Sequence, residues 1–304
     1  MSLTASAPEI AAVSEVMRTT GWADYALLDS GHGRKLEQYG PYKVVRPEPQ
    51  CMWTPRLPAS AWEEADAVFD PTDEDEAGNW RFRGARPPET WPLGWGEVKF
   101  HGRFTAFRHL AFFPEQAANW AWLDAQVRRA EGPAPRVLNL FGYTGVASLV
   151  MAAAGAAVTH VDASKKAVGW ARENAELSGL VDRPVRWIVE DAKKYVQREV
   201  RRGTQYEGII LDPPKYGRGP DGQIWRLFED LPALAGLCAQ LLSDNARFLV
   251  LNAYAERISG AALAGLLAEK LAGRPGRIEW GELALEEQRG DRAIGMSFFA
   301  RWSA

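Results

Sequence analysis

The sequence predicts an α/β fold: a mostly parallel seven-stranded sheet with an antiparallel edge strand, preceded by a small β-rich N-terminal domain. After residue 110, short apolar runs alternate with helical segments, a pattern typical of a parallel sheet with helices on both faces. The last two apolar runs have no helix between them, so we expect them to pair antiparallel at one edge. Before residue 110, the chain is rich in Trp, Pro, Gly and Arg and contains short runs typical of strands and turns.

This change of pattern divides the chain into three predicted segments. Residues 1–20 are a predicted mobile lead, residues 21–97 a small β-rich domain and residues 98–304 the alternating α/β domain. Within the small domain, "DYALLDSG" and "YKVVRP" are predicted strands, and the acidic tract over residues 70–78 is a predicted solvated loop.

The alternating region supports the fold class element by element. Pro114 stands near the first turn of the first helix, Ser164 is suited to an N-cap and Gly179 to a helix stop. The predicted strands cover residues 136–141, 157–162, 185–191, 206–212, 246–255, 277–285 and 295–302, and the predicted helices cover residues 113–130, 145–155, 164–179, 192–203, 223–242 and 259–273.

The composition excludes several classes of protein. A net charge of −3 argues against a polycation, so any contact to nucleic acid must come from a local patch. Cys51 and Cys238 make no disulfide framework, and the four histidines show no ligand spacing, so we expect no metal site. The chain has no apolar run long enough to span a membrane, and its N-terminus does not have the pattern of a signal peptide, so we expect a cytoplasmic protein.

Open parallel sheets bind ligands at the carboxyl ends of their strands, and the residues there are informative. The first strand of the alternating region leads into "NLFGYTG", residues 139–145, whose Gly142 and Gly145 allow backbone amides to approach a ligand. This loop differs from the GxGxxG of dinucleotide enzymes, because Phe141 and Tyr143 stand where a pyrophosphate needs bare backbone. The loop therefore disfavours NAD.

The next three strands each end in an acid. Asp162 lies about 20 residues beyond the first loop, where a carboxylate can accept two ribose hydroxyls. Asp191, followed by Ala192, can meet an exocyclic amine, and Asp212 ends the fourth strand. The alternative for Asp162 and Asp191 is that each caps the following helix.

Four motifs, "VLNLFGYTG", "HVDASKKAVGWARENAELSGL", "VEDAKKYV" and "LDPPKYGRG", resemble those of class I S-adenosylmethionine-dependent methyltransferases, which have a Rossmann-like fold. They resemble more closely the large-subunit ribosomal RNA methyltransferase family, whose members modify cytosine C5 or a guanine. The resemblance covers residues 98–304 and implies S-adenosylmethionine as the cofactor. The residues that it implies for cofactor binding are Gln116, Asn139, Phe141, Gly142, Tyr143, Thr144, Gly145, Asp162, Ala163, Asp191, Ala192 and Asp212.

Within that set the resemblance implies separate roles. Residues 141–145 would line the methionine part, Asp162 would hold the ribose, and Asp191 with Ala192 would hold the adenine. A segment before the first strand folds over the cofactor in the family, and "FFPEQ", which ends at Gln116, fits that place. The N-terminal part does not resemble the RNA-binding module usual in the family, which leaves the acceptor open.

The stretch "LDPPKYGRG" ends a buried strand with an acid and two rigid prolines. Asp212 and the carbonyl of Pro213 can accept N–H bonds from a base nitrogen, Pro214 stiffens the turn, and Tyr216 can stack on the base. These four residues are the predicted catalytic set. The alternative is an ordinary turn with Tyr216 packed on the sheet edge, and Lys215 stands where amino-methylating enzymes commonly place the aromatic residue.

Cytosine C5 chemistry requires a cysteine thiolate that adds to the ring. Members of the family that perform it carry this cysteine after the fifth strand or directly after the Asp-Pro-Pro turn. Here "LNAYAE" and Lys215 occupy those places, Cys238 falls inside an amphipathic helix, and Cys51 is far away in the chain. The sequence therefore favours a nitrogen acceptor.

Residues 80–108 are the predicted site of RNA contact. Six cations there stand against two acids, and aromatic residues lie between them, which suits single-stranded nucleic acid. The alternation of Trp80, Arg81, Phe82 and Arg83 also fits a half-buried strand with its arginines in water. Two other functions remain open, a methyltransferase for a non-RNA acceptor and a cofactor-binding module without chemistry.

Overall fold

The computed structural model describes residues 7–72, 77–254 and 257–304. They form two compact units. Unit 1 holds the described residues up to Met17, Asn119–Leu283 and Met296–Ala304, and unit 2 holds Arg18–Ala118 and Ala284–Gly295. The strand Val98–Arg103, which the sequence places in the alternating domain, pairs with Thr90–Trp95, and both strands belong to unit 2.

The segment predicted as a mobile lead contains two short strands, β1 (Glu9–Ile10) and β2 (Glu15–Thr19), while its residues 1–6 lie outside the described residues. The β-rich region that follows confirms the predicted β character. Its five-stranded sheet has the order β3-β4-β5-β6-β7, and β8 pairs with β9. The bounds are β3 Tyr25–Gly31, β4 Arg34–Tyr39, β5 Tyr42–Pro47, α1 Ala59–Glu63, β6 Ala67–Pro71, β7 Gly78–Phe82, β8 Thr90–Trp95 and β9 Val98–Arg103. The predicted acidic loop falls largely on residues 73–76, outside the described residues.

Unit 2 buries a cluster of charged and phenolic side chains. The carboxylate of Glu37 accepts hydrogen bonds from Arg46 (2.7 Å), from the Tyr25 hydroxyl (2.8 Å) and from the Tyr39 hydroxyl (3.1 Å). Burial raises the pKa of Glu37, but the positive charges of Arg46 and Lys35 outweigh that effect and hold the pKa at about 2. A buried polar network with these partners rigidifies the sheet around it.

The central sheet of unit 1 confirms the predicted α/β architecture. Its strand order is β1-β17-β18-β16-β13-β10-β11-β12, with β2 beside β17. The strands are β10 Arg136–Leu140, β11 Ala157–Asp162, β12 Val185–Val189, β13 Gly208–Leu211, β14 Tyr216–Arg218, β15 Ile224–Arg226, β16 Phe248–Ala253, β17 Arg277–Glu286 and β18 Ala293–Ser303. The helices are α2 Ala117–Arg128, α3 Val146–Ala154, α4 Lys165–Leu177, α5 Ala192–Arg202, α6 Leu227–Leu241 and α7 Gly260–Lys270.

The seven predicted strands of the sheet are present as β12, β11, β10, β13, β16, β18 and β17. The five from β12 to β16 pair in parallel, and β18 runs antiparallel to β16. The antiparallel strand is not outermost, because β17 lies beyond β18 and β1 pairs in parallel with β17.

The buried strands and the helix caps explain why the alternating pattern is readable in the sequence. Every residue of β13 and of β16 is buried, so both strands are continuous apolar runs rather than alternating ones. Ser164 caps α4 by accepting a hydrogen bond from the Ala167 amide, as predicted, and Ser259 caps α7 in the same way. The five parallel strands bring their carboxyl-end loops to one edge of the sheet.

One predicted element is wrong at its start. The helix predicted over residues 223–242 begins only at Leu227, because Ile224–Arg226 forms the strand β15, which pairs antiparallel with β14. The turn after β13 therefore continues into a hairpin over residues 216–226. None of the helices in the described part of the chain is long and apolar enough to cross a membrane.

Candidate functional site

The loop over residues 141–145, which follows β10, has an unusual backbone conformation. Phe141 and Tyr143 have φ values of 57° and 49°, which non-glycine residues rarely adopt. Two backbone hydrogen bonds hold the loop, from the Gly142 amide to the Val161 carbonyl (3.1 Å) and from the Gly145 amide to the Gly142 carbonyl (2.9 Å). Strained residues that the surroundings hold in place are frequent at ligand sites.

Both glycines of this loop are required by their surroundings. A Cβ atom on Gly142 would lie 2.4 Å from the His160 ring, so this position has no room for a side chain. Gly145 has a φ of 80°, and its Cβ atom would lie 2.8 Å from the Cβ of Ala171. Bare backbone in this loop therefore follows from packing as well as from turn geometry.

A buried chain of polar side chains lies beneath the loop. The Asn139 amide donates to the Ser148 hydroxyl (2.9 Å), which lies 3.0 Å from Nδ1 of His160. Burial lowers the pKa of His160 to about 3, so its imidazole is neutral at physiological pH. Asn139, predicted as a cofactor ligand, is only 2% exposed and is engaged in this chain. The sequence interpretation missed His160 and Ser148, for which the available signal was a histidine inside an apolar strand.

A second buried amide holds the far end of the loop. The side chain of Asn174, in α4, donates to the Thr144 carbonyl at 2.9 Å, and both residues are buried. Asn174 was also missed, because a polar residue on the inner face of a helix has no distinctive pattern. The loop is thus held by buried side chains from the strand β11 region and from α4.

Asp162, at the end of β11, lies next to this loop. Its Oδ2 accepts a hydrogen bond from the Tyr143 amide (2.9 Å), and its Oδ1 accepts one from the Ser164 amide (2.8 Å). Burial raises the pKa of Asp162, while these two backbone donors oppose the increase. Each carboxylate oxygen has a further lone pair for a hydroxyl donor. The structure therefore brings Asp162, followed by Ala163, together with the 141–145 loop.

Asp191 is the N-cap of α5. Its Oδ1 accepts a hydrogen bond from the Lys194 amide at 2.8 Å, which is the capping role that the sequence left open. The neighbouring Ala192 is buried at the first position of the helix. The preceding Glu190 pairs with Arg198 at 3.2 Å.

The turn after β13 is held against the next helix. Pro213 is buried, and the Pro214 carbonyl accepts a hydrogen bond from the Trp225 indole at 2.7 Å. The Lys215 carbonyl accepts a hydrogen bond from the Leu227 amide at 3.1 Å. The Trp225 ring also packs against the Phe141 ring, with 5.0 Å between the ring centroids. Trp225 therefore links the Asp-Pro-Pro turn to the 141–145 loop.

Tyr216 begins the hairpin, and its side chain is 49% exposed. Its hydroxyl accepts a hydrogen bond from Nε of Arg218 at 3.3 Å. Asp212 is partly buried at the carboxyl end of β13, and Lys215 is exposed. The four predicted catalytic residues thus lie within one short segment, residues 212–216, with Lys215 between Pro214 and Tyr216.

Gln116 lies in unit 2 and is described there. It ends a short 3-10 helix, Pro114–Gln116, whose three residues are buried. The hydroxyl of Thr19, also in unit 2, donates to the Pro114 carbonyl at 3.2 Å.

Both cysteines of the chain are fully buried. Burial raises the pKa of Cys51 to about 11, and burial raises the pKa of Cys238 further. Neither thiol is therefore ionised at neutral pH, and neither has the character of a nucleophile.

The basic segment over residues 80–108 contains the half-buried strand that the sequence left as an alternative. Along β7 the side chains of Trp80 and Phe82 are half-buried, and Arg81 is exposed and pairs with Asp70 at 3.0 Å. Arg81, Phe82 and Arg83 also line a cavity of about 640 Å³ in unit 2, together with residues that include Arg34 and Trp62.

Comparison with known proteins identifies relatives of the whole chain and of part of it. Residues 116–234 match the family described as Conserved hypothetical protein 95. The solved structure of a SAM-dependent methyltransferase from Agrobacterium tumefaciens is 49% identical to this chain, with a TM-score of 0.94. The match covers 100% of this chain and 97% of that one.

Two curated relatives match the central region. Ribosomal RNA large subunit methyltransferase I of Aeromonas salmonicida is 30% identical over 177 residues, which are 54% of this chain and 41% of that protein. Ribosomal RNA large subunit methyltransferase K/L of Shewanella sp. (strain ANA-3) is 33% identical over 120 residues, 38% of this chain and 17% of that protein. The chain spans less than half the length of these curated relatives.

Proposed function

Since the chain belongs to the S-adenosylmethionine-dependent methyltransferases, we propose that it methylates a nitrogen of a base in ribosomal RNA. The observation that carries the proposal is the rigid Asp212-Pro213-Pro214 turn, which shares the Trp225–Phe141 contact with the 141–145 loop. A module that only bound the cofactor would have no use for acceptor groups held in that position.

The residues around the 141–145 loop fit the cofactor that the family uses. Gly142 has no room for a side chain, so only backbone atoms of this residue would face the methionine part of the cofactor. The Asp162 carboxylate has further lone pairs that can accept the ribose hydroxyls. Asp191 and Ala192 would border the adenine. By the resemblance, Gln116 would also contact the cofactor, and when bound the cofactor supplies an electrophilic methyl group on a sulfonium.

The chain's own groups act on the acceptor. Asp212 and the Pro213 carbonyl accept hydrogen bonds from the N–H groups of an amino or ring nitrogen. These bonds orient the lone pair of the nitrogen and stabilise the positive charge that develops on it during methyl transfer. The exposed Tyr216 ring stacks on the base, a contact worth about 1–3 kcal/mol. The target base must be unpaired or flipped out to reach this turn.

A carbon acceptor fits the chain less well. Cytosine C5 methylation needs a thiolate, and both Cys51 and Cys238 are buried with raised pKa values. The nitrogen of a base is already a nucleophile and needs only position and a proton acceptor. This contrast supports the nitrogen over the carbon.

The RNA acceptor rests on the names of the curated relatives and on local charge. Both relatives described above act, by name, on large-subunit ribosomal RNA. We infer that residues 80–108 contact the RNA, since Arg81 and Arg83 line a cavity with the aromatic Trp62 and Phe82. Such an acceptor would also make the protein cytoplasmic, as the sequence predicts.

The test is methyl transfer to RNA in two settings. Purified protein with methyl-labelled S-adenosylmethionine should label large-subunit ribosomal RNA that has been stripped of protein, and RNase should release the label. Mass spectrometry of ribosomal nucleosides from cells with and without the protein should differ by one N-methylated nucleoside. Label that survives RNase, with identical nucleoside profiles, would point to a non-RNA acceptor.

A further inference from the structure

A second concave surface lies between the first turns of α6 and α7. This α6–α7 groove has a volume of about 500 Å³, which is within the usual range of ligand pockets. Its walls are mainly apolar and include Leu227, Phe228, Leu231 and Leu263, and Arg257 is a charged member of the lining. The methyl-transfer steps described above make no use of it.

The groove adjoins the segment that follows the Asp-Pro-Pro turn. Its first residue, Leu227, donates its amide to the Lys215 carbonyl at 3.1 Å, and the preceding Trp225 donates its indole N–H to the Pro214 carbonyl at 2.7 Å. The other wall contains Arg257, which follows β16, and β16 pairs in parallel with β13. Both walls therefore continue from the carboxyl ends of two neighbouring strands.

Phe228, which lines the groove, and two residues of the neighbouring hairpin have large, exposed apolar side chains. Phe228 is 58% exposed, Ile224 52% and Tyr216 49%. The hairpin pairs Tyr216 with Arg226, two residues before Phe228, so the exposed rings lie on the same part of the molecule. Clustered exposed apolar side chains mark binding surfaces more often than single ones do.

The surface around the groove and the hairpin carries both acids and cations. Three of its acids pair with cations: Asp221 with Lys194 (2.8 Å), Asp230 with Lys193 (3.0 Å) and Glu229 with Arg226 (3.3 Å). Lys215, Arg218 and Arg257 are further exposed cations. Exposed aromatic rings among cations form the surface that single-stranded nucleic acid binds, with bases on the rings and phosphates on the cations.

On the basis of the RNA acceptor proposed above, we propose that the α6–α7 groove binds an unpaired base that flanks the methylated nucleotide. The methylated base itself requires Asp212, whereas no acid is among the described residues that line the groove. The adjoining base needs only an apolar wall and a ring to stack on, which Phe228 supplies. The groove would thus hold the neighbouring nucleotide by stacking, with little preference for the identity of its base.

The test measures binding of RNA by the full-length protein with S-adenosylhomocysteine present. The probes are a fluorescein-labelled single-stranded RNA of mixed sequence and an abasic strand of equal length. We expect Phe228→Ala to weaken binding of the RNA by about 5- to 100-fold, the range for loss of one stacked base, and to change binding of the abasic strand little. Phe228→Tyr should restore binding, since it retains an aromatic ring.

The control is Val181→Ala, which removes an exposed apolar side chain from another part of unit 1 and should leave both affinities unchanged. Equal RNA affinity for Phe228→Ala and wild type would overturn the groove while leaving the RNA acceptor intact. A wild type that binds and methylates no RNA would instead overturn the acceptor itself. A dimer of the wild type that Phe228→Ala dissociates, at unchanged RNA affinity, would assign the groove to a second copy of the chain.

Discussion

The 141–145 loop and the 216–226 hairpin both follow parallel strands of one sheet, yet they are built in opposite ways. The loop is held by buried partners, since the Asn174 side chain holds the Thr144 carbonyl and Gly142 packs against the His160 ring. The start of the hairpin is tied to the first residue of α6 by the bond from the Leu227 amide to the Lys215 carbonyl, and Tyr216 and Ile224 are about half exposed. The loop, which we propose binds the cofactor, is thus closely packed, whereas the hairpin, which we propose faces the acceptor, is an open surface.

The two regions meet at one contact. The ring of Trp225, in the second strand of the hairpin, packs on Phe141, which has an unusual backbone conformation in the loop. The indole N–H of the same Trp225 donates to the Pro214 carbonyl, so one side chain contacts both the loop and the Asp-Pro-Pro turn. We therefore expect substitutions in the 141–145 loop to change the affinity for the cofactor, and substitutions in the Asp-Pro-Pro turn to change the turnover rate.

The largest expected effect is on turnover, from Asp212→Asn. The change removes the negative charge that would act on the acceptor nitrogen in the transition state, so kcat should fall by about 10²- to 10⁴-fold. The dissociation constant for S-adenosylhomocysteine, measured by calorimetry, should change little. Asp244→Asn, in an exposed turn of unit 1, is the control and should keep full activity. A variant Asp212→Asn that lost cofactor affinity as well as turnover would contradict the proposal that Asp212 acts mainly on the acceptor.

The next effect concerns the loop itself, from Gly142→Ala. The added Cβ would lie 2.4 Å from the buried His160 ring, so the loop or the ring must shift. We expect a loss of about 1–3 kcal/mol in the free energy of unfolding, together with strongly reduced binding of S-adenosylhomocysteine. Thermal unfolding and calorimetry measure the two effects.

The matched control is Gly169→Ala in α4. A Cβ there meets no atom within 4 Å, and alanine favours a helix over glycine, so stability should rise by up to about 1 kcal/mol with cofactor affinity unchanged. If the two alanine variants behaved alike, close packing at Gly142 would not be the reason for its glycine.

The sequence predicts the loop region better than the hairpin, for a physical reason. The loop and the acid that ends β11 belong to local motifs with fixed spacing, and the structure brings Asp162 to the Tyr143 amide. The hairpin depends on pairing between Tyr216–Arg218 and Ile224–Arg226, and the second strand reads locally as the start of a helix. Unit 2 is still harder to predict, because its Glu37 cluster joins residues from three strands that show no common motif.

The orientation of Asn139, in the buried polar chain under the loop, could not be predicted from the sequence either. Asn139 stands in the motif that the resemblance assigns to the cofactor, but its amide is engaged with Ser148 beneath the loop. Residue type and motif position do not reveal whether a side chain points to a ligand or into the core. Only the packing of α3 and β11 decides this.

A smaller effect is expected from Asp162→Ala. It would remove the acceptors that we propose for two ribose hydroxyls, together with the acceptor of the Tyr143 amide, so cofactor affinity should fall by about 1–3 kcal/mol. Calorimetry with S-adenosylhomocysteine measures it. An unchanged dissociation constant would reduce Asp162 to a residue that only shapes the loop.

The pH dependence gives a second measurement on the same residue. Because burial raises the folded-state pKa of Asp162 above its ordinary value of 3.8, the carboxyl is protonated over a range above pH 3.8. Across that range the stability of the cofactor-free protein should fall as pH rises, since the fold disfavours the charged form. Cofactor affinity should rise over the same range, since the carboxylate is the better acceptor, and Asp162→Asn should flatten both trends.

The smallest effect should come from the cysteines. Cys51→Ser together with Cys238→Ser should retain turnover, because both thiols are buried, have raised pKa values and take no part in attack on a nitrogen acceptor. A modest loss of stability, about 1–3 kcal/mol, should come mainly from Cys238, where a hydroxyl would enter an apolar core. A carbon acceptor demands the reverse, since the thiolate would add to the ring and activity would vanish in the double variant. RNA that contains 5-fluorocytosine separates the cases: a covalent adduct with the wild-type chain, lost on changing either cysteine, would overturn the nitrogen acceptor, and we expect no adduct.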